Sequence, residues 1–302
     1  MRKILVIVNP VSGNGKALKI MPDIKSFFNT HRDMIEADFK ISRFKDDIKL
    51  IASTMYDNGY REFVVIGGDG SLSELVNGLG PKMDNKIKIG VIPYGSGNDF
   101  IKSLFNQYKL NDQIKAIIED QTQLLDLGKV NEFYYINSCT FGIDGPIIRM
   151  TDKLKMKLPG EIAYYMSTLK EGVAFRPKIV RLTIDGEVLK GEKILIAFNN
   201  GKFIGGGMNI TPDADLSDGY LNVCVIDDVP KLKFVRSIKK VYSGRLSDLD
   251  EVSLRRIKNG SIEVENGSYD INIDGNLVGQ TPATIKIIPN AIRVFKNMED
   301  KE

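Results

Sequence analysis

A run of apolar, β-prone residues leads directly into a glycine-rich turn at residues 63–71, Phe-Val-Val-Ile-Gly-Gly-Asp-Gly-Ser. Apolar residues at helical spacing then run from Leu72 to Leu79. A strand that ends in such a turn and opens a helix is a ready anion site, because glycine lets a phosphate reach the backbone N–H groups. Asp69 would repel a bare phosphate there, unless a divalent cation or a hydroxyl nucleophile is held beside it. The stretch therefore predicts phosphoryl transfer rather than simple nucleotide storage.

Strands alternate with helices over the first third of the chain, which predicts a parallel sheet with right-handed crossovers. The predicted strands are residues 4–8, 39–44, 63–66 and 87–92. The predicted helices are residues 17–30, 48–56, 72–79 and about 112–120. Three of the strands run into glycine-rich loops, which places these loops together at the carboxyl edge of the sheet, where open α/β folds bind ligands.

After about residue 125, alternating apolar and polar residues indicate antiparallel β structure, which we expect to form a β-sandwich. Asp185-Gly186 and Asp274-Gly275 are strong hairpin-turn signals. Helical insertions are expected at about 146–174 and 231–243. The predicted domains are an α/β nucleotide-binding domain at 1–126 and a β-rich domain at 127–289, with 290–302 as a candidate completion of the first.

Composition limits the class of protein. The 302 residues are 42% hydrophobic and 27% charged, which is ordinary for a globular protein. Two cysteines, Cys139 and Cys224, are too few for a disulfide framework, so we expect buried thiols and a cytoplasmic location. The apolar run at 4–8 is too short for a targeting segment, and no stretch approaches the roughly 20 apolar residues of a membrane span. A net charge of +3 does not predict a nucleic-acid partner.

The other two loops resemble the central loop in composition. Asn9, Pro10, Ser12, Gly13 and Lys16 precede the first helix, although the Gly-Lys-Ser/Thr ending of a Walker A loop is missing. Residues 95–100 read Gly-Ser-Gly-Asn-Asp-Phe. Taken alone, the loop before the first helix is equally well an ordinary β–α connection. The loop at 95–100 is equally well a helix cap. Three such loops at one sheet edge favour phosphate binding.

The three loop motifs together resemble those of a known protein family. Residues 9–13, 67–71 and 95–100 resemble the three nucleotide motifs of the diacylglycerol kinase catalytic-domain family. That family includes bacterial lipid kinases and the sphingosine and ceramide kinases, and its nucleotide domain is similar to those of NAD kinases and 6-phosphofructokinases. Residues 205–207, 212–214 and 218–221 resemble the family's C-terminal signature. The resemblance covers nearly the whole chain and implies a Rossmann-like first domain.

The resemblance also implies a set of site residues. Asp69 would organise Mg²⁺ and the γ-phosphate, and Lys16 could neutralise phosphate charge in the transition state. The residues expected to line ATP are Asn9, Pro10, Ser12, Gly13, Ser42, Gly67, Gly68, Asp69, Gly70, Ser71, Leu72, Ser73, Gly95, Ser96, Asn98 and Asp99.

A second set of residues matches a structural Mg²⁺ site of bacterial members of the family. Asp218 would give a side-chain oxygen, and Asp215 and Tyr220 would give backbone carbonyls, which are ligands that suit Mg²⁺. By spacing alone, this segment is equally well an acidic hairpin loop.

One position departs from the family. Bacterial members usually carry Asp-Gly-Glu where this chain has Asp274, Gly275 and Asn276, and the glutamate is their proposed general base. Asn276 cannot accept a proton. Asp69 could serve as the base instead; phosphoryl transfer could need little help from a base; or the protein could bind nucleotide and lipid without catalysis.

The expected function is that of an ATP- and Mg²⁺-dependent lipid kinase that converts diacylglycerol to phosphatidic acid, with a sphingoid or other lipid acceptor as the alternative. The family is typically dimeric. A bilayer substrate requires a peripheral membrane surface, for which the basic, amphipathic residues 231–245 are one candidate and the cluster Arg149, Lys153, Lys155 and Lys157 another. A helix packed on the sheet with a solvated basic face is the alternative interpretation of 231–245.

Overall fold

The computed structural model describes residues 1–297, so the end of the predicted segment 290–302 lies outside the described residues. The first part alternates strands and helices as expected. Its strands are β1 (Arg2–Val8), β2 (Ile35–Ile41), β3 (Glu62–Gly67) and β4 (Lys88–Pro93). Its helices are α1 (Lys16–Thr30), α2 (Asp47–Asp57), α3 (Asp69–Leu79), a short 3₁₀ turn at Gly80–Lys82, α4 (Asp99–Leu104) and α5 (Leu110–Ile118).

The four strands pair in parallel in the order β2, β1, β3, β4. The prediction for the second strand, 39–44, was wrong at both ends. Parallel pairing runs from Arg2 opposite Ile35 to Val8 opposite Ile41, so β2 extends as far as its partner. Pairing, rather than local composition, therefore decides where this strand begins.

Strand β1 is buried on both faces, as its continuous apolar run indicates. Leu5 and Ile7 pack into one core with α2 and α3. Ile4, Val6 and Val8 pack into a second core with α1 and α5. Helices on both faces leave only the ends of the strands open to a ligand.

The second part is predominantly β structure with three helices. Its strands are β5 (Thr122–Val130), β6 (Phe133–Tyr135), β7 (Ser138–Gly142), β8 (Lys178–Ile184), β9 (Glu187–Asn199), β10 (Phe203–Ile204), β11 (Met208–Asn209), β12 (Leu221–Asp227), β13 (Val252–Ile257), β14 (Asn259–Val264), β15 (Asp270–Ile273), β16 (Asn276–Gln280) and β17 (Ala283–Phe295). Its helices are α6 (Asp144–Leu154), α7 (Gly160–Ala174) and α8 (Lys231–Tyr242), with a 3₁₀ turn at Leu246–Asp248. The expected architecture, a parallel α/β part followed by an antiparallel β-rich part, is confirmed.

Strand β17 joins the two parts. It pairs antiparallel with β14 and β5, and its last residues pair in parallel with β4, with Val294 opposite Ile89. Strand β5 in turn crosses the predicted boundary at residue 126. The domain limits stay a prediction, but one hydrogen-bonded sheet runs through both parts and fixes their relative position.

The helical insertion expected at 146–174 consists of two helices. Helix α6 ends at Leu154, and α7 begins after Pro159, which has no N–H to continue a helix. Helix α8 packs against α7 at Gly172, where an added Cβ would lie only 2.0 Å from Cε1 of Phe234. The three helices therefore form a small layer on the β-rich part.

Helices α2 and α3 approach each other closely because Gly78 has no side chain. A Cβ there would lie 2.4 Å from the Lys49 carbonyl oxygen, and backbone atoms cannot move away cheaply. We expect Gly78→Ala to lower the free energy of unfolding by about 1–3 kcal/mol through overpacking, although alanine normally favours helices. Chemical denaturation measures this.

Gly279→Ala is the matched control, since its nearest atom is 3.9 Å away. The control should leave the stability within about 0.5 kcal/mol of wild type. Equal stabilities of the two variants would contradict the close approach.

Candidate active site

The three glycine-rich loops meet at the carboxyl ends of β1, β3 and β4. A Cβ on Gly95 would lie 2.5 Å from Cα of Gly68, so these two loops touch backbone to backbone. A Cβ on Gly13, whose φ is +59°, would lie 2.7 Å from the Tyr94 carbonyl oxygen. Only glycine permits these approaches, and they close the loops into one continuous edge.

Asn9 ties the first loop to the second. Its Nδ2 donates to Ser71 Oγ at 2.8 Å, and its backbone N–H donates to the Ile66 carbonyl at 3.0 Å. No side chain caps the first turn of α3, whose N-cap residue is Gly68. A phosphate at this helix start would meet no competing capping side chain, although the Ser71 N–H already donates to the Gly68 carbonyl at 3.0 Å.

The third loop is closed by Asn98, which has a left-handed φ of 52°. Its side chain bonds back to Gly95, accepting from the N–H at 3.0 Å and donating to the carbonyl at 2.9 Å. Asn98 is the N-cap residue of α4, as one interpretation of the third loop had it, but its side chain makes no cap hydrogen bond to that helix. Ser96 is exposed at the tip, facing Gly160 at the start of α7.

Two other residues that were predicted to contact the nucleotide lie next to these loops. Ser42 is buried just after β2, where its N–H donates to the Val8 carbonyl at 2.9 Å. Lys16 is exposed at the first residue of α1. Its ammonium forms no salt bridge within residues 1–297, so it is available to an anionic ligand.

Two carboxylates face each other across Gly97. A Cβ on Gly97 would lie 3.0 Å from Asp69 Oδ2 and 3.5 Å from Asp99 Oδ2. Asp69 Oδ1 accepts the N–H of Phe100 at 3.2 Å. Burial raises the pKa of Asp69, and burial together with the Asp69 charge raises the pKa of Asp99 to about 7.

Asp99 also connects the α/β part to the β-rich part. Its Oδ2 accepts the N–H of Gly206 at 2.8 Å, and Lys102 Nζ donates to the Gly206 carbonyl at 2.9 Å. Asp99 Oδ1 is buried without a hydrogen bond, with Lys102 Nζ 3.9 Å away. Gly206 belongs to a stretch that resembles the family's C-terminal signature, but no local signal in the sequence links it to Lys102, which is 104 residues away.

A third carboxylate, Asp274, lies in the hairpin turn between β15 and β16, where φ is 47°. The predicted turn is confirmed. Its carboxylate accepts the N–H groups of Ile136, Asn137 and Ser138 at 3.0, 3.1 and 2.8 Å. Burial is the main cause that raises its pKa to about 7, and the Asp69 charge adds to the shift.

Asn276 follows directly in the same hairpin. A Cβ on Gly70 would lie 3.7 Å from Asn276 Nδ2 and 3.8 Å from its Oδ1. The position that the family gives to a glutamate therefore faces the central phosphate loop, and here it presents an amide. We call Asp69, Asp99 and Asp274, with Asn276 beside them, the carboxylate cluster.

The segment predicted to hold a structural Mg²⁺ lies apart from this cluster. Asp215 Oδ1 accepts the N–H of Ser217 at 2.9 Å, and Asp218 Oδ2 lies 2.6 Å from Arg256 Nη2. Asp126 anchors the segment by accepting the N–H of Gly219 at 2.6 Å. Local partners thus occupy both carboxylates, and the assignment with Tyr220 stays a prediction.

The donor set of the carboxylate cluster fits Mg²⁺ only in part. In the described portion of the chain, no three Asp, Glu, His or Cys side chains are grouped tightly enough to hold a metal unaided. Mg²⁺ is usually held by one or two carboxylates together with water and substrate phosphates. The unpartnered Asp99 Oδ1 and the adjacent Asp69 supply oxygens of that kind.

An apolar cavity lies beneath α6, α7 and α8. Its lining is aliphatic and aromatic apart from a few polar side chains, and includes Ile147, Ile204, Met208 and Phe234. Asp144 stands on its wall. No local sequence signal marks this cavity, because its lining residues come from segments between Ile143 and Val252 that are far apart in the chain.

A polar network holds Asp144 in place. The carboxylate accepts from Asn272 Nδ2 at 2.6 Å and from the hydroxyl of Thr140. Burial raises its pKa.

Comparisons with known proteins agree with this architecture. The diacylglycerol kinase catalytic domain model matches residues 3–130, and the YegS C-terminal NAD kinase beta sandwich-like domain model matches residues 137–296. A diacylglycerol kinase from Mycobacterium tuberculosis is 28% identical over 97% of this chain and 95% of its own length.

Two further relatives extend the comparison. A protein of Staphylococcus carnosus described as a candidate lipid kinase is 31% identical over 84% of this chain and 82% of its own. A solved structure of a candidate diacylglycerol kinase from Bacillus anthracis strain Sterne has a TM-score of 0.79 at 23% identity, covering 99% of both chains. An identity this low shows a shared fold alone.

The chain belongs to the diacylglycerol kinase catalytic-domain family, as its motifs indicated. It is a kinase of the class that transfers phosphate to an alcohol.

Burial of like charges makes the stability of the protein depend on pH. Because the pKa of Asp99 rises from 3.8 to about 7 on folding, its stabilising contribution is complete below 3.8 and is lost as the pH rises through 7. We expect the unfolding free energy to fall across this range, by on the order of 2–4 kcal/mol for one such group.

Asp99→Asn should flatten that dependence, since the amide keeps an acceptor for Gly206 but does not ionise. Denaturant unfolding of both proteins across this pH range measures the slopes. Identical slopes for wild type and variant would contradict the assignment.

Proposed function

We propose that the protein transfers the γ-phosphate of ATP to the hydroxyl of a membrane lipid, with diacylglycerol as acceptor and phosphatidic acid as product. One observation supports this most: the glycine loops of the α/β part and the Asp274–Asn276 hairpin of the β-rich part meet at Asp69. An apolar cavity in the β-rich part offers a place for acyl chains.

The first loop, the central loop and the third loop would hold the nucleotide. Backbone N–H groups at the start of α3 would bind phosphate oxygens, and Lys16 would add a positive charge at the mouth of the site. Mg²⁺, when bound near Asp69 and Asp99, would neutralise phosphate charge. The expected nucleotide contacts of Ser42, Ser96 and Asn98 belong to the same proposal.

Asp69 is the best placed general base. Burial raises its pKa, which makes it a better proton acceptor than an exposed carboxylate. The acceptor hydroxyl would lose its proton to Asp69, its oxygen would bond to the γ-phosphorus, and the bond from that phosphorus to the β-phosphate oxygen would break, releasing ADP. Asn276 cannot take the proton, but its amide could donate to a phosphate oxygen or orient the hydroxyl.

A transfer assay with labelled ATP, Mg²⁺ and mixed micelles tests the proposal. The acceptors are diacylglycerol, sphingosine and NAD. We expect phosphatidic acid from diacylglycerol, with at least a 10²-fold slower rate for Asp69→Ala, because general base catalysis typically contributes about 10²–10⁴-fold. Asp33→Ala, an exposed aspartate near the end of α1, is the control and should keep the wild-type rate.

Phosphorylation of sphingosine alone would change the acceptor but keep the enzyme class. Phosphorylation of NAD alone would contradict a lipid acceptor.

Asn276 supports a second candidate function, a protein that binds nucleotide and lipid without catalysis. Measurable ATP binding without transfer to any acceptor would favour this candidate. If Asn276→Glu then restored transfer, the missing carboxylate would be the cause. A wild-type rate that Asn276→Glu does not raise would show that the amide at 276 does not limit transfer.

The acyl-chain role of the cavity gives a separate prediction. Ser237 on α8 lines the cavity, so Ser237→Phe would fill space that an acyl chain needs. Displacing about two methylene groups costs on the order of 1.6 kcal/mol, which corresponds to an increase of KM by about tenfold. Steady-state kinetics with long- and short-chain diacylglycerol measure it.

The rise in KM should be confined to the long-chain acceptor. Ser243→Phe, at an exposed residue that does not line the cavity, is the control. Equal kinetics of both variants on long chains would exclude the cavity as the acyl site.

A further inference from the structure

Helix α7 carries large apolar side chains on its solvent side. Ile162, Tyr165, Met166 and Val173 are 51%, 48%, 47% and 52% exposed, and Leu169 is half-buried. These positions follow the i, i+3, i+4, i+7, i+11 spacing of a single helix face. A contiguous exposed apolar stripe of this kind marks an interaction site more often than scattered residues do.

The opposite side of α7 shows why the stripe is not part of the core. Its buried residues are small: Ala163, Ser167, Thr168 and Gly172. Tyr164 and Thr168 line the apolar cavity. The helix thus packs inward with small side chains and presents its large ones outward, the reverse of an ordinary surface helix.

Neighbouring segments extend the stripe. Met156, in the turn before α7, is 80% exposed, and Leu232 on α8 is 60% exposed. Helix α8 begins beside the end of α7, since Lys231 Nζ donates to the Phe175 carbonyl at 2.6 Å. We call the α7 stripe together with Met156 and Leu232 the α7–α8 face.

Basic residues border this face. The exposed ones on α6, α7, α8 and their adjoining turns include Lys153, Lys155, Lys157, Lys170, Arg176 and Arg236, whereas Arg149 is exposed but paired with Asp270 at 2.5 Å. The acidic residues of these segments whose described side chains reach the surface are fewer: Asp152 is exposed but paired with Lys155 at 3.7 Å, Glu171 is half-buried, and Asp228 and Asp248 are exposed in the turns on either side of α8. An apolar stripe bordered by positive charge complements an anionic lipid surface.

We propose that the α7–α8 face docks on an anionic bilayer, with Tyr165 and its neighbours entering the boundary between head groups and acyl chains. The proposal rests on the proposed function, because a lipid acceptor has to leave a bilayer. No helix of the described residues is long and apolar enough to span a membrane. The same helices carry the docking face outside and line the acyl cavity inside, which gives the acceptor a short path.

Of the two docking candidates predicted from sequence, the basic cluster at 149–157 supplies Lys153, Lys155 and Lys157 to the border of this face, and residues 231–245 supply Leu232 and Arg236. Of the basic residues at 231–245, Lys231 is engaged with the Phe175 carbonyl and Lys233 with Glu251 at 2.5 Å. Phe234 and Val241 line the cavity instead of facing outward. Helix α8 therefore serves mainly as the wall of the cavity, and α7 supplies the apolar contact with the bilayer.

The absence of tryptophan from the sequence makes a direct test possible. Tyr165→Trp introduces a single reporter at the centre of the face. On vesicles of phosphatidylcholine and phosphatidylglycerol in equal amounts, its emission should shift to the blue and be quenched by brominated lipid. Leu50→Trp, on the exposed side of α2 where Leu50 is 56% exposed, should show neither change.

Sedimentation with the same vesicles gives the affinity. We expect Tyr165→Ser/Met166→Ser to bind at least about tenfold more weakly than wild type, because two half-exposed side chains lose their burial in lipid. Added salt should weaken binding of both proteins. Leu50→Ser is the control, and thermal unfolding checks that the double variant is folded.

These measurements use neither ATP nor acceptor, so they stand even if no acceptor is phosphorylated. The proposal would be overturned if the wild-type protein sediments with the vesicles while the emission of Tyr165→Trp does not change. It would also be overturned if the double variant binds the vesicles as tightly as the wild type does. A blue shift that grows with protein concentration without vesicles would assign the face to a second copy of this chain, and would also overturn it.

Discussion

Repulsion among buried carboxylates is the constraint on which the functional region depends. Asp69, Asp99 and Asp274 come from three separate segments; burial is the main cause that raises the pKa of each, and the Asp69 charge adds to the shifts of the other two. Each is held by backbone N–H groups, those of Phe100, Gly206 and residues 136–138. The chain therefore uses folding free energy to keep negative charge concentrated, and a phosphate-transferring site with its cation and its proton acceptor needs such a concentration.

Two structural features bring the three carboxylates together. Glycines at 13, 68 and 95 let the three loops touch through their backbones, so the loop edge is closed and rigid. Strand β17 begins in the antiparallel part and ends against β4, which sets the Asp274–Asn276 hairpin against the phosphate loop. The apolar cavity and the α7–α8 face belong to the same three-helix layer of the β-rich part.

Local signals predicted much of this arrangement. Turn chemistry alone located the three loops and the Asp274-Gly275 hairpin, because their residues act on their own backbone. Contacts between distant segments were missed: Asp274 is 138 residues from its partner Ile136, and Lys102 is 104 from Gly206. The boundary between α6 and α7 was not predicted, since the large apolar side chains of α7 lie on its exposed side and its buried side is made of small residues, so the apolar period does not mark the buried face.

The central claim is that one site, shared by both parts of the chain, handles the phosphates. A crystal structure with Mg²⁺ and a non-hydrolysable ATP analogue measures this most directly. The account predicts the γ-phosphate at the start of α3, within hydrogen-bond reach of the Gly68–Ser71 backbone and beside Asp69 and Asn276. A nucleotide whose phosphates lie away from that turn, or that leaves Asp69 and Asn276 facing solvent, would contradict it.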